Sequence, residues 1–590
     1  MPSAPLLTQN TTPIPPAGLR PAGSRWSFAF LIDIALFLLV FAAIYGVYAI
    51  ARAWLGPVTP QAEISQSPRM LPLYSLYSLV RILIAYGISL VFALGYGYLA
   101  ASSRRAEMFL VPLLDILQSI PVLSFLPGVM LAMVALFPRR QVGVELGSIL
   151  LIFTGQVWNI AFSFYSSLKT QPRELREAAI IYRFGRWQRF LELDLPFSTI
   201  GLVWNSMMSV AGGWFFLMAC EMFVLGDRDF RLPGLGSFLQ TAAGRGDIRA
   251  ILWGVAAMII VIVLLDQLVW RPVINWADKF KFEQVESART TAFSIVSLLG
   301  RASLVIRAYR FLLRPVIDWL TFTFAIGARA AGSLAAPGPA RPRRWIGYLL
   351  GALVLGGLGF TVYHAARELS SLHREDYLQL LESSLYTFCR VNAALLIGAL
   401  WTIPVGVAIG SSPRFARIAQ PLVQMAASIP ATALFPVILL FLIRMPSGME
   451  IAAMLLMLLG TQWYILFNVI AGAMAIPTDL KEAARIFRFG VWDRWRRLIL
   501  PGIFPYLVTG MLTASGGAWN ASIVAEYFHF QGKILSAPGL GSTISRASDS
   551  GRFDVLLGAT LIMAAVVVLI NRLLWRRLYR LASSRFSLQA

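Results

Sequence analysis

The sequence predicts an all-α membrane protein of about twelve transmembrane helices, arranged as two parallel six-helix repeats. Long apolar runs and an internal repeat support this prediction. Of the 590 residues, 57% are hydrophobic and 14% are charged, and the mean hydropathy is +0.68. Because soluble domains carry about 25% charged residues, a chain this apolar needs lipid as its solvent. The runs do not alternate in polarity, which argues against a membrane β-barrel.

The apolar runs are long enough to cross a bilayer, which takes about 20 residues for each helix. The first half is predicted to span at 28–52, 72–100, 108–137, 144–168, 197–225 and 249–271. The second half is predicted to span at 345–366, 377–410, 418–443, 449–474, 500–527 and 555–580.

These spans divide the chain into two units with flanking segments. The predicted divisions are a disordered cytoplasmic tail over 1–27, a first unit over 28–271, a basic linker over 272–344, a second unit over 345–582 and a C-terminal tail over 583–590. The arginine spacing in the linker favours helices lying in the membrane interface, although two further spans would also preserve the topology.

The formal net charge of +22 is interpreted as a topology signal, because basic residues concentrate in cytoplasmic loops, and not as a nucleic-acid site. With the N-terminus inside, the basic loops 171–196, 411–417 and 476–499 and the C-terminus all fall on the cytoplasmic side. Arg139 and Arg140 are predicted on the outer side and disagree with this pattern. The two cysteines lie inside predicted spans and imply neither a disulfide framework nor a metal site.

The internal repeat is clearest in two basic loops. Residues 172–196 match 477–501 at an offset of 305, with fourteen of the 25 positions identical. Upstream, Ser119–Pro121 matches Ser428–Pro430 at an offset of 309, so the first half holds four extra residues, which are assigned to the outer loop beside Arg139. Six spans per repeat give both halves one orientation, with a path expected between them along a pseudo-twofold axis.

Each basic loop contains Glu-Ala-Ala, a Gly eight residues after the Glu, and Leu-Pro at the start of the next span. The pattern predicts a short helix, a bend at the glycine and a second helix. In the second loop, Asp479 stands three residues before Glu482, which is capping-box spacing.

These loops resemble the "EAA" loop of bacterial ABC-importer permeases, and the resemblance covers nearly both halves. A glutamate followed by a Gly-Leu-Gly segment is similar to the nitrate, sulfonate and taurine branch of that family. The resemblance implies a type I ABC importer-like fold whose loop helices dock on ATP-binding subunits. The implied coupling residues are Glu177, Ala178, Ala179, Arg183 and Gly185 in one loop and Glu482, Ala483, Ala484, Arg488 and Gly490 in the other.

One departure from the family pattern is shared by both loops. The family usually has Gly six residues after the Glu, where this chain has Arg183 and Arg488. The bend is therefore expected two residues later, at the glycine, and the partner is expected to be adapted to an added positive charge.

The resemblance also implies the partners. The sequence has no Gly-x-x-x-x-Gly-Lys-Ser/Thr loop, so ATP and Mg are expected in a separate subunit, two copies per chain, and this chain is expected to bind no cofactor and to be no enzyme. A periplasmic binding protein would deliver a small anion such as nitrate, bicarbonate, a sulfonate or taurine. The expected location is the bacterial inner membrane, multi-pass in lipid, with both termini cytoplasmic and no nucleic-acid partner.

Candidate pathway residues repeat in the two halves. Prolines interrupt the third and ninth spans beside serines, and broken helices often line transport sites, although a packing kink is the alternative. Mid-span tryptophans either line the path or pack the core. The candidates are Ser119, Pro121, Trp158, Trp214, Ser428, Pro430, Trp463 and Trp519.

Two carboxylates lie near the outer ends of their spans. Intramembrane carboxylates are functional candidates, but these are expected to hold the outer Gly-Leu-Gly loops, since a carboxylate facing the path would disfavour anions. The predicted loop or gate residues are Glu221, Gly234, Gly236, Glu526, Gly539 and Gly541.

The main alternative function is an ion-gradient-driven secondary transporter with two six-helix halves. It explains the spans and the parallel repeat but not the paired Glu-Ala-Ala loops. Ion coupling is also expected to require charged residues within the membrane, and few are visible in the sequence. A non-transporting scaffold or sensor explains neither the loops nor the repeated broken helices.

Overall fold

The computed structural model describes residues 63–280 and 363–585, apart from 120, 138–140, 226–227, 364–365, 368 and 532. The predictions for the tail 1–27, the span 28–52, most of the span 345–366 and the linker beyond 280 lie outside the described residues. So do those for Arg139, Arg140 and the last five residues.

The first half is a series of helices and one small hairpin. Its elements are α1 (Leu71–Ser102), α2 (Arg104–Ser119), α3 (Leu126–Leu136), α4 (Gln141–Thr170), α5 (Arg173–Ile181), α6 (Arg186–Arg189), α7 (Leu195–Glu221), β1 (Val224–Leu225), β2 (Arg228–Asp229), α8 (Leu235–Arg245), α9 (Ile248–Leu265) and α10 (Arg271–Ala277).

The second half repeats this series. Its elements are α11 (Arg374–Ser411), α12 (Pro413–Ser428), α13 (Ala431–Leu442), α14 (Gly448–Ala475), α15 (Thr478–Ile486), α16 (Val491–Arg494), α17 (Leu500–Ala525), β3 (Tyr527–Phe530), β4 (Lys533–Ser536), α18 (Leu540–Asp549), α19 (Phe553–Ile570) and α20 (Arg576–Arg585).

Each helix of the first half therefore has a counterpart ten numbers later, and from α5 onward the helix starts differ by 305 residues. The repeat extends to irregular features, since π-helical turns at Phe190–Asp194 and Asp266–Trp270 recur at Trp495–Ile499 and Asn571–Trp575. The structure confirms the tandem repeat.

The four extra residues of the first half lie at the helix ends that flank the outer loop. The matched prolines Pro127 and Pro436 still keep the offset of 309. Helix α3 continues nine residues past Pro127, to Leu136, whereas α13 continues six residues past Pro436, to Leu442. The loops that follow are about equal in length, so most of the insertion lengthens the end of α3 and not the loop itself.

Among the described residues, eight helices are long and apolar enough to span a membrane. They correspond to eight of the twelve predicted spans. The predicted spans 108–137 and 418–443 are each broken into two shorter helices, at Pro121 and Pro430, because proline cannot donate the backbone hydrogen bond that a continuous helix needs.

The core runs without interruption through both halves. In the first half α4 packs between α1 and α7, and in the second half α14 packs between α11 and α17. One hydrophobic cluster includes Met207 and Trp214 of α7 together with Leu456 of α14 and Trp519 of α17.

The hairpin β3–β4 also joins the halves. The backbone N–H of Gln531, at its turn, donates to the carbonyl of Ala243 in α8 at 3.1 Å. The hairpin of the second half is therefore tied to α8 of the first half.

Candidate functional site

The Glu-Ala-Ala segments form the short helices α5 and α15, which occupy the same place in each repeat. Both begin directly after a proline, Pro172 and Pro477. Ala179 and Ala484 are buried, while Glu177 and Glu482 are exposed. The small alanine side chains let each helix lie close against the protein while the glutamate faces outward.

Helix α5 ends in a Schellman motif. The N–H of Arg183 donates to the carbonyl of Ile180 at 3.0 Å, and the N–H of Phe184 donates to the carbonyl of Ala179 at 2.9 Å. Arg183 has φ +53°, the left-handed conformation in which this motif usually has glycine.

Helix α15 ends in the same way. Arg488 bonds to Arg485 and Phe489 to Ala484, both at 3.0 Å, and Arg488 has φ +50°. The predicted shift of the bend to Gly185 and Gly490 was wrong. Gly490 has φ −63° and ψ 166°, an ordinary extended conformation, and starts α16.

The predicted capping box at Asp479 was also wrong. The N-cap of α15 is Pro477, which offers no side-chain bond, and Asp479 lies in the first turn. A carboxylate there stabilises the helix through its dipole.

Large apolar side chains are exposed at the ends of both short helices. Ile181 and Tyr182 are 77% and 74% exposed, and their counterparts Ile486 and Phe487 are 78% and 74% exposed. Paired exposed apolar groups of this kind are candidates for an interaction surface. We call residues 181–183 and 486–488 the two docking tips.

Each short helix is also tethered to the membrane helix before it. Arg176 donates to the carbonyl of Leu168 at 2.5 Å, and Lys481 donates to the carbonyl of Ala473 at 3.3 Å. A force on a docking tip is therefore transmitted to α4 or α14.

A cavity of about 620 Å³ lies between the two halves. The first half contributes side chains of α7 and of the end of α9, and the second contributes the break between α12 and α13 together with parts of α14 and α17. Amides line it at Asn205, Gln424, Asn468 and Asn520. Among the described residues around it there is no Lys, Arg or His, and the carboxylate of Asp266 lies 3.4 Å from Arg271.

The predicted pathway residues divide into two groups. Trp214, Pro430 and Trp463 line the cavity. Trp519 and Trp158 are not among the described residues of the cavity wall.

The broken helices are also used unequally. Among the described residues of the two breaks, Ile429, Pro430 and Ala431 of the second half line the cavity, whereas Pro121 of the first half does not. Ser119 and Ser428 are the last residues of α2 and α12.

Glu221 ends α7 and is fully buried beneath the Gly-Leu-Gly segment. Its carboxylate accepts from the N–H of Gly236 at 2.8 Å and from the hydroxyl of Ser78 at 2.7 Å, and Ser78 accepts from the N–H of Leu235 at 3.0 Å. A Cβ at Gly234 would lie 2.3 Å from this carboxylate, so any larger residue there would have to displace it.

Glu526 repeats the arrangement in the second half. It accepts from the N–H of Gly541 at 2.8 Å and from the hydroxyl of Thr387 at 2.9 Å, and Thr387 accepts from the N–H of Leu540 at 2.8 Å. A Cβ at Gly539 would lie 2.2 Å from the carboxylate. The geometry matches the predicted holding of the Gly-Leu-Gly loops.

The sequence analysis missed the cations that complete these clusters. Arg81 donates to Glu145 at 2.6 and 2.7 Å and to Glu221 at 2.8 Å, with all three side chains at most 1% exposed. Arg390 pairs with Glu526. Arginines inside apolar runs, matched at an offset of 309, are the signal that could have found them.

These intramembrane charges pair among themselves at the hairpin ends of α7 and α17 and do not line the described cavity. They hold loops in place and give no support to an ion-coupled pathway.

The Binding-protein-dependent transport system inner membrane component family matches the chain twice, at residues 93–269 and 402–587. Together these matches cover more than half of the chain. The chain belongs to this family. Each match covers most of one helical repeat, so this permease is two family units fused in tandem.

Similar proteins include the Nitrate import permease protein NrtB of Leptolyngbya laminosa, 28% identical over 31% of this chain and 62% of the relative. The Bicarbonate transport system permease protein CmpB of Synechococcus elongatus is 28% identical over 31% and 63%. The Taurine transport system permease protein TauC of Escherichia coli is 28% identical over 32% and 66%. The chain thus spans just under two thirds of the length of these relatives.

Proposed function

We propose that this permease forms the membrane pathway of an ATP-driven importer for a small anion, delivered by a separate periplasmic binding protein. Two ATP-binding subunits dock on the tips of α5 and α15, and the docked subunits hydrolyse ATP with Mg while this chain performs no catalysis. The termini and docking tips face the cytoplasm. The observation that carries this proposal is the pair of short helices with matched exposed apolar ends.

The mechanism follows from the hydrogen bonds that join α5 to α4 and α15 to α14. When two docked subunits close on ATP, they move α5 and α15 relative to each other, and the bonds from Arg176 and Lys481 pass the motion to α4 and α14. Because the cavity is lined by both halves, relative motion of the halves opens it to alternate sides.

The substrate class rests on the relatives, whose names cover nitrate, bicarbonate and taurine. The cavity is compatible with passage of a small anion, since amide N–H groups solvate an anion without the tight hold of a fixed cation. Conduction needs binding that is weak enough for release.

The test is purification of the tagged chain from its native host in mild detergent, followed by identification and counting of co-purifying subunits. Two ATP-binding subunits per chain, with ATP-dependent uptake of a binding-protein-delivered anion in liposomes, are the expected result. A chain that purifies alone and moves solute on an ion gradient without ATP would overturn the proposal and favour the secondary transporter.

A further inference from the structure

The two docking tips share three features that an approaching partner would meet. Each offers an isoleucine followed by an aromatic residue, all between 74% and 78% exposed. Each then offers an exposed arginine at the same left-handed position, with φ values of +53° and +50°. Each helix end is closed by the same two backbone hydrogen bonds.

The arginines are unexpected at that position. A left-handed backbone costs an L-residue about 1–2 kcal/mol, a cost that glycine avoids. Backbone of this kind tends to occur at functional sites. The bend does not require an arginine side chain. The presence of arginine at both positions therefore points to a binding role for the side chain.

Neither guanidinium has a partner within the described part of the chain: Arg183 and Arg488 are exposed and form no ion pair or side-chain hydrogen bond there. Each lies directly after a pair of exposed apolar side chains. The tip therefore presents an apolar surface with one free cation at its edge, and a complementary groove would be apolar with a carboxylate at the matching edge.

We propose, resting on the function proposed above, that both tips bind the same ATP-binding polypeptide, used twice, and that its docking groove holds a carboxylate against Arg183 in one copy and Arg488 in the other. One groove chemistry satisfies both tips. The neighbouring exposed position is Ile180 in one helix and Arg485 in the other, so the groove tolerates either side chain there.

The experiment uses the full chain with its co-purified ATP-binding subunit. Arg183→Glu, Arg488→Glu and the double variant are compared with Arg183→Ala and Arg488→Ala as matched controls. Alanine and glutamate both meet the left-handed backbone cost, so the difference between them isolates the charge. Binding of the purified subunit to each variant is measured at low and high salt, and intact-complex mass identifies the subunits.

The expected result is one subunit mass present twice on the wild-type chain. Each Glu variant should bind about tenfold more weakly than its Ala control, by a similar factor at the two sites, and high salt should reduce the difference. Two different subunit masses, or Glu variants equal to Ala variants, would overturn the inference while leaving the importer intact. A wild-type chain with no ATP-binding subunit would instead overturn the proposed function itself.

Discussion

At the level of single residues, the left-handed conformation of Arg183 lends itself to a direct measurement. Replacing Arg183 with glycine removes the steric cost of φ +53°, and replacing it with alanine does not. We expect the end of α5 to be more stable in Arg183→Gly than in Arg183→Ala by about 1 kcal/mol, after allowing for the greater freedom of glycine in the unfolded chain.

Hydrogen–deuterium exchange of peptides covering 173–184 measures this difference, since it reports local opening. The Gly variant should exchange more slowly there, and peptides from α15 should be unchanged. Equal exchange in the two variants would mean that the left-handed conformation carries no cost at this site.

The close approach at Gly539 makes a second prediction. A Cβ there would meet the Glu526 carboxylate at 2.2 Å, although the backbone is extended and any residue could adopt it. We expect Gly539→Ala to destabilise the permease by about 1–3 kcal/mol, as overpacking does, seen as a lower unfolding midpoint in detergent.

Gly490→Ala is the matched control, because a Cβ at Gly490 meets nothing within 4 Å and its φ suits alanine. Its unfolding midpoint should be that of the wild type. A Gly539→Ala variant that also unfolds like the wild type would show that the carboxylate moves away without cost.

The buried glutamates show what can be predicted from residue types alone. Their role in holding the Gly-Leu-Gly loops could be predicted, because a carboxylate near the loop end of a span has backbone N–H groups within reach. Their pairing with Arg81 and Arg390 could not be predicted by a search for carboxylates alone, since both arginines lie on other helices.

At the level of elements, the two loop clusters differ in one carboxylate. In the first half Arg81, on α1, is held by Glu145 of α4 and by Glu221 of α7. The residue matched to Glu145 by the 305-residue offset is Glu450, which is exposed, so Arg390 of α11 relies on Glu526.

This difference predicts unequal effects of the same substitution. Glu526→Gln leaves the largely buried Arg390 without an ion pair, and we expect a loss of about 3–5 kcal/mol in the free energy of unfolding. Glu145→Gln leaves Arg81 paired with Glu221 at 2.8 Å, and we expect a loss below about 2 kcal/mol.

Chemical unfolding of both variants in detergent compares them directly. Glu450→Gln, at the exposed matched position, serves as the control and should unfold like the wild type. Equal losses in Glu145→Gln and Glu526→Gln would contradict the assignment of two partners to Arg81 and one to Arg390.

The observed helix boundaries agree with the predicted ones where a single residue type decides them, and differ elsewhere. Breaks at Pro121 and Pro430 were predictable, because proline lacks the N–H that helix continuation needs. The end of α5 at Ile181 was not predictable. The glycine two residues after Arg183 favoured a later bend, and the Schellman hydrogen bonds form only in the folded loop.

At the scale of the whole molecule, the offset of 305 residues was enough to predict two parallel repeats and a path between them. It could not predict that the repeats line the path unequally. Trp214 lines the cavity and its counterpart Trp519 does not, while Trp463 lines it and Trp158 does not. Which member of a matched pair faces the cavity depends on how the halves pack.

Two matched glycines, Gly212 and Gly517, both lie on the cavity wall and allow that surface to be tested from each half. A Cβ at Gly212 meets only the Tyr464 hydroxyl, at 3.4 Å, so a larger side chain there would grow into the cavity. We expect Gly212→Trp to lower transport at least about tenfold by filling the path, while binding of the ATP-binding subunit is retained, since the docking tips are not altered.

Gly95→Trp is the control, because Gly95 is exposed on α1 and nothing lies within 4 Å of a Cβ there. It places the same side chain in a membrane helix without entering the cavity, and should transport like the wild type. Uptake of labelled substrate and retention of the ATP-binding subunit are measured together for both variants. Wild-type uptake by a folded Gly212→Trp variant would mean that the substrate passes elsewhere, whereas loss of uptake in both variants would point to a general effect of tryptophan on these helices.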